Sequence, residues 1–132
     1  MRRSIFYRRW LRHKKIAFDT SFLIPILEDS SRDDHRYTRI LDLIERRKIN
    51  LITSTITLLE ILVHPYRKKS SDAVNRYYGY LTHQSRLELS PVSAEIADRA
   101  AELRARYGFK TPDAIQIATA LIGKATLLFY IL

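Results

Sequence analysis

The chain has 132 residues, of which 23 are Lys or Arg and 14 are Asp or Glu. The net charge of +9 and pI near 10.0 favour a polyanionic partner, nucleic acid first and an anionic membrane surface second. That length suits one domain with a real core, and 46% hydrophobic residues with 3 Gly and 4 Pro exclude a disordered chain. There is no Cys, which excludes disulfides, a thiolate zinc site and a cysteine nucleophile and is compatible with the cytoplasm. No apolar run approaches the ~20 residues that cross a bilayer.

Met1 to Lys15 (MRRSIFYRRWLRHKK) is a basic extension, too poor in consecutive apolar residues for a signal peptide. It is either a nucleic-acid arm, with Arg for phosphates and Phe6, Tyr7 and Trp10 for stacking, or a solvated tail. The segment 16–132 then reads as one folded domain. Ile16-Ala17-Phe18 forms a short strand ending at Asp19. A helix begins there and runs through Phe22, Leu23, Ile24, Ile26 and Leu27, disturbed by Pro25. Asp19 has two available roles: cap of that helix, or an acid at the carboxyl end of a central strand, where open α/β sheets place ligands.

Glu28 to His35 is a polar loop, with Asp33 and Asp34 as solvated charges or a cap and His35 at the surface. Arg36 to Lys48 has helical period, with Ile40, Leu41, Leu43 and Ile44 on one face. Ile49 to Thr53 reads as a second strand, followed by Ser54 or Thr55 as a helix cap. In the next helix Ile56, Leu58, Leu59, Ile61, Leu62 and Val63 surround Glu60. A lone carboxylate in such company costs several kcal/mol unless it is paired or metal-bound, so Glu60 is either a site residue or a Glu that reaches the surface beside His64 or an Arg. His64-Pro65 is expected to stop this helix.

Asp72 to His83 is a further helix whose Tyr77, Tyr78 and Tyr80 suit half-buried packing, and Leu87 to Leu89 a third strand. Ser93 caps a helix to Tyr107. Ile96, Ala97, Ala100, Leu103 and Tyr107 are expected inward, Glu95, Asp98, Arg99, Arg104 and Arg106 outward. Gly108 is its C-cap.

In KTPDAIQIATAL (Lys110 to Leu121), Thr111 is expected to cap a helix with Pro112 and Asp113 in its first turn. Ala114, Ile115, Ile117, Ala118, Leu121 and Ile122 make it apolar nearly all round, hence buried. Asp113 either adds a favourable charge of ~0.3–1 kcal/mol to the helix dipole or aims a carboxylate at a site. Ala125 to Leu132 closes the chain as a buried strand. Strands separated by helices imply one α/β domain with a parallel sheet.

Asp19 and Glu60 both follow strands, and strand carboxyl ends share an edge with the helix starts that follow them. Asp113 joins them if its helix points its N-terminus at that edge. Three carboxylates there would repel unless a cation is bound, and oxygen ligands select Mg²⁺ or Mn²⁺ over zinc. In a basic protein, such a metal points to phosphodiester chemistry.

FDTSFLIPILE, LITSTITLLEILVHP and AAELRARYGFKTPDAIQIATAL, in this order, resemble the PIN-domain family, and within it the VapC-like toxin ribonucleases. The resemblance covers the chain from Ile16 onward. It implies a three-layer α/β/α fold around a central parallel sheet and a Mg²⁺- or Mn²⁺-dependent endoribonuclease. It also implies a cytoplasmic homodimer inhibited by a cognate antitoxin, with RNA as substrate and no membrane role. The family's metal-site acids fall on Asp19, Glu60 and Asp113, and its hydroxyls near metal and phosphate fall on Ser21 and Thr111. A further family acid, in a Thr-Asn-Asp-like segment, has no counterpart after Asp113. The resemblance therefore implies a domain lacking that acid and its last edge strand, and a rival reading as an impaired remnant that binds protein or RNA.

Overall fold

Four short apolar segments, each reached through helices, pair as the strands of one parallel sheet. They are β1 (Lys15–Phe18), β2 (Asn50–Ser54), β3 (Leu87–Ser90) and β4 (Leu127–Phe129), in the order β3-β2-β1-β4. The structure is a computed structural model that describes residues 15–28 and 36–129. The expectations for the basic extension before Lys15, for Asp33, Asp34 and His35, and for the last three residues lie outside those ranges. Every pairing is parallel, with Ala17 opposite both Ile52 of β2 and Leu128 of β4, and Leu51 opposite Leu87.

The helices are α1 (Thr20–Glu28), α2 (Arg36–Arg46), α3 (Thr55–Arg67), α4 (Ser71–Thr82), α5 (Ala94–Tyr107) and α6 (Thr111–Ile122). The two-residue period of the strands divides the core between two layers of helices. Phe18, Leu51 and Leu87 face one side, where they meet Phe22, Leu23, Ile61 and Leu81 of α1, α3 and α4. Ala17, Ile52 and Leu128 face the other and pack on Ala120 of α6. Behind that layer α5 lies on α6 through Ile96, Ala100, Ala114 and Ala118, small side chains that let two backbones approach closely. The α/β/α sandwich expected from the sequence is the observed architecture.

Helix ends depart from the expectations in instructive ways. Pro65 does not stop α3, which continues to Arg67. Its missing N–H costs one bond in the last turn, while the His64 and Pro65 carbonyls still receive the Lys68 and Ser70 amides at 3.0 Å. Thr111 is the first residue of α6 rather than its cap: Lys110 occupies the N-cap and makes no side-chain bond there. Ala97 and Tyr107 of α5 and Leu121 of α6 are exposed although expected inward, because the two helices meet along one narrow stripe that leaves all three outside it.

Among the described residues, three lysines carry positive φ: Lys48, Lys69 and Lys124. Each closes a Schellman motif after α2, α3 or α6. The amides of Ile49, Ser70 and Ala125 reach the carbonyls of Ile44, Pro65 and Ala120, and the lysine amides those of Glu45, Tyr66 and Leu121. A side chain in this conformation carries a penalty of roughly 1 kcal/mol relative to Gly. Gly108 ends α5 at φ 73°, as the sequence led us to expect.

Candidate active site

Asp19 leaves β1 at its carboxyl end and is buried, 8% exposed. Its Oδ1 accepts the Ser21 hydroxyl at 2.6 Å and the Phe22 amide at 3.3 Å. That second bond is an N-cap bond on α1. Its Oδ2 accepts no hydrogen bond from a described residue. Asp19 therefore caps a helix and stands at a central strand end at once.

Glu60 corrects the sequence reading. It is exposed on α3, not enclosed, because α3 buries only the stripe Thr57, Ile61 and Pro65 and leaves Leu59 and Val63 at 59% and 38% exposure. What orients the carboxylate is a hydroxyl: Thr20, the residue after Asp19, donates to Glu60 Oε1 at 2.7 Å. His64 and Glu60 line the same small cleft with Ile24, Leu27, Ile61 and Tyr77.

Asp113 lies half-buried in the first turn of α6. Since α6 leads directly into the amino end of β4 and all strands are parallel, α6 runs antiparallel to them. Its N-terminus therefore points to the edge that carries Asp19 and the start of α3.

Beneath the three acids runs a polar relay that the sequence reading did not single out. Gln116 Nε2 donates to Thr57 Oγ1 at 2.8 Å, Thr57 and Thr53 share a bond at 2.7 Å, and Thr53 Oγ1 donates to the Phe18 carbonyl at 2.7 Å. The one proton of Thr53 is committed to Phe18, so Thr57 is the donor between the two threonines. Gln116, Thr53 and Thr57 are all buried. The relay starts one turn after Asp113 on the same face of α6. It passes through Thr57, one turn before Glu60 on α3, and ends on the residue before Asp19. The three acid-bearing segments are thus tied together inside the fold. Threonine and glutamine at core-facing positions of otherwise apolar helices were the available signal.

Of the two hydroxyl residues expected near phosphate, Ser21 is half-buried against Asp19 and Thr111 is exposed at the start of α6. Among the described residues, no three His, Asp or Glu side chains form a ready-made metal cage. The available donors at this edge are carboxylate and hydroxyl oxygens, a set suited to a hard divalent ion. Mg²⁺ in particular is commonly held by one or two carboxylates, with water and substrate phosphate completing its shell. Among the described residues, no helix is long and apolar enough to cross a membrane.

The profile of the PIN domain matches residues 16–130. A chain of a toxin–antitoxin complex from Klebsiella pneumoniae is 28% identical, superposes with a TM-score of 0.64 and is matched over 84% of its length and 86% of this chain. VapBC2 from Rickettsia felis, bound to a promoter DNA fragment, is similar at 20% identity and TM-score 0.67, covering 87% of this chain and 86% of that one. VapC20 from Mycobacterium tuberculosis, a sarcin–ricin loop cleaving toxin, gives 18% identity and TM-score 0.67 over 88% of both chains. The last two likenesses speak to the fold. No curated protein matches in sequence.

Proposed function

The chain belongs to the PIN-domain family, and on that premise we propose that it is a divalent-metal-dependent endoribonuclease of toxin type, held silent by a cognate antitoxin. The observation that carries this reading is the relay from Gln116 through Thr57 and Thr53 to the Phe18 carbonyl, with Thr20 on Glu60. Together they tie the segments bearing Asp19, Glu60 and Asp113 to one edge of the sheet. RNA is the substrate class because the net charge of +9 draws in polyanions and the acids supply hydrolytic rather than binding chemistry. The antitoxin is supported by the Klebsiella chain's own setting in a toxin–antitoxin complex. A homodimer acting in the cytoplasm belongs to the same proposal.

Asp19, Glu60 and Asp113 would hold Mg²⁺ or Mn²⁺, which when bound supplies positive charge to the phosphate and lowers the pKa of a water. The chain's own contributions are positional. The Ser21 hydroxyl and Phe22 amide fix the Asp19 carboxylate through Oδ1 and leave Oδ2 for a ligand, and Thr20 fixes one oxygen of Glu60. Ser21 and Thr111 are assigned to the substrate phosphate. In hydrolysis a water oxygen bonds to phosphorus, the bond to the leaving ribose oxygen breaks, and that oxygen takes up a proton.

A second reading, a PIN fold that binds RNA or protein without cutting, is favoured by the lack of a three-carboxylate cage among the described residues. Incubating the chain with end-labelled RNA in Mg²⁺, in Mn²⁺ and in EDTA separates the two. Metal-dependent cleavage that Asp19→Asn abolishes supports the nuclease. Tight RNA binding with no cleavage in either metal establishes the binding module instead.

A further inference from the structure

The edge opposite the acids is cationic. Lys15 opens β1, Arg47 and Lys48 lead into β2, Arg86 precedes β3, and Lys124 sits just before β4. Parallel pairing brings these amino ends together on one side of the molecule. Lys15 is paired with Glu88 at 3.0 Å. Among the described residues, Arg47, Lys48, Arg86 and Lys124 are in no ion pair, and Glu45 lines a neighbouring cavity together with Arg86. A polar pocket of about 280 Å³ opens on this edge, lined by Lys15, Asn50, Ser85, Arg86 and Glu88 with the backbone of two leucines' strands beside them. The helix dipole favours a cation at each helix C-terminus, so a lysine at a Schellman position is not by itself evidence of a site. What the dipole does not explain is the shared edge: a cation stands at or before every strand start, and the one at β3, Arg86, lines a pocket together with Asn50 and Ser85.

We infer that this amino-end edge is a second phosphate-backbone surface, seating an RNA strand in the Arg86 pocket and along Lys48 and Lys124, remote from the scissile bond. The inference rests on the ribonuclease reading for its choice of RNA. Strands of three to five residues separate the two edges by about 10–16 Å, so the cations bind and orient RNA without entering the chemistry. The pocket is open to solvent and carries Arg86, Asn50 and Ser85, side chains that donate hydrogen bonds to phosphate oxygens.

The test measures anisotropy of a fluorescein-labelled RNA hairpin with single-stranded flanks, in EDTA so that nothing is cut, across a salt series. The full chain is compared with the variant Lys48→Asn/Arg86→Gln/Lys124→Asn. Asparagine accepts the left-handed conformation, so these changes do not endanger the fold. The control, Lys69→Asn, makes the same chemical change in the same conformation, but in the turn between α3 and α4, which leads into no strand. The triple variant is expected to flatten the slope of log affinity against log salt by about 2, roughly 0.7 for each single-stranded phosphate no longer neutralised, with Lys69→Asn nearly unchanged. In Mg²⁺ the triple variant is expected to raise KM and leave kcat unchanged. An equal effect from Lys69→Asn, or an unchanged slope in the triple variant, overturns the site while cleavage by the native chain leaves the ribonuclease reading standing. Loss of affinity for duplex DNA or anionic vesicles but not for the RNA also overturns it. A native chain that neither binds nor cuts RNA overturns both.

Discussion

At Asp19 one carboxylate oxygen holds the helix cap while the other accepts no hydrogen bond from a described residue, and that division makes a clean experiment for the proposed metal site. Asn presents the same oxygen to the Phe22 amide and is as good an N-cap as Asp. Asp19→Asn is therefore expected to unfold in urea within about 0.5 kcal/mol of the native chain while losing RNA cleavage altogether. Asp19→Ala loses the cap as well and should fall by about 1 kcal/mol. Cleavage by Asp19→Asn at the native rate would remove Asp19 from the site. The relay gives a second test at this scale. Thr57→Val leaves the buried Gln116 amide without its acceptor and Thr53 without its donor, a change expected to cost about 1–3 kcal/mol by chemical denaturation and to lower cleavage by loosening the join between α3 and α6. Asp19 was legible in the sequence because it ends an apolar strand. Glu60 was expected to be enclosed and is exposed: a linear run of apolar neighbours does not say which of them face water, and Leu59 and Val63 do. Thr57 and Gln116 were overlooked because each lies on a helix whose apolar residues dominate its pattern, and their partners are 4 and 59 residues away.

Among the elements, strands and helix types were readable from period, and the ends were not. Pro65 was expected to end α3 because proline lacks an amide. One missing bond in a last turn that is otherwise bonded is tolerated, and the ring is buried. The Schellman ends at Lys48, Lys69 and Lys124 have no Gly or Asn at the left-handed position, and the residues that follow, Ile49, Ser70 and Ala125, share no pattern that could be read. Gly123 is the opposite case: its φ of −72° is open to any residue, yet a Cβ there would lie 2.5 Å from Ile52 Cδ1. Its role is to let the end of α6 settle on β2. Gly123→Ala is expected to destabilise the domain by about 1–3 kcal/mol through overpacking. Gly79→Ala, inside α4 with its nearest neighbour, His83 Nδ1, at 3.5 Å, is expected to stabilise it by about 0.5–1 kcal/mol. Equal effects from the two in thermal melts would mean that packing against Ile52 is not what Gly123 provides.

For the molecule as a whole, the alternation of strand and helix made the parallel sheet readable, and with it the rule that strand ends and helix starts share an edge. What alternation does not contain is which strand becomes the neighbour of β1, and the pairing of β4 beside it depends on α6 crossing the sheet's second face through Ala120 against Ala17 and Ile52. That same packing aims the first turn of α6 at the acid-bearing edge, so metal binding should be coupled to the stability of the whole sandwich rather than to a loop. Under the proposed metal site, the three segments joined by the relay must all be in place for Asp19, Glu60 and Asp113 to share an ion, and the unfolded chain holds them apart. An ion that binds only the folded form at ten times its dissociation constant adds about 1.4 kcal/mol. For a domain of this size that is a rise of about 4–6 °C in Tm. The native chain is expected to show such a rise with Mg²⁺ or Mn²⁺ by scanning calorimetry, reversed by EDTA. Asp19→Asn, folded but with a neutral amide in place of the carboxylate, is expected to show little or none. An equal rise in both proteins would place the ion elsewhere on the surface and leave the three acids without it.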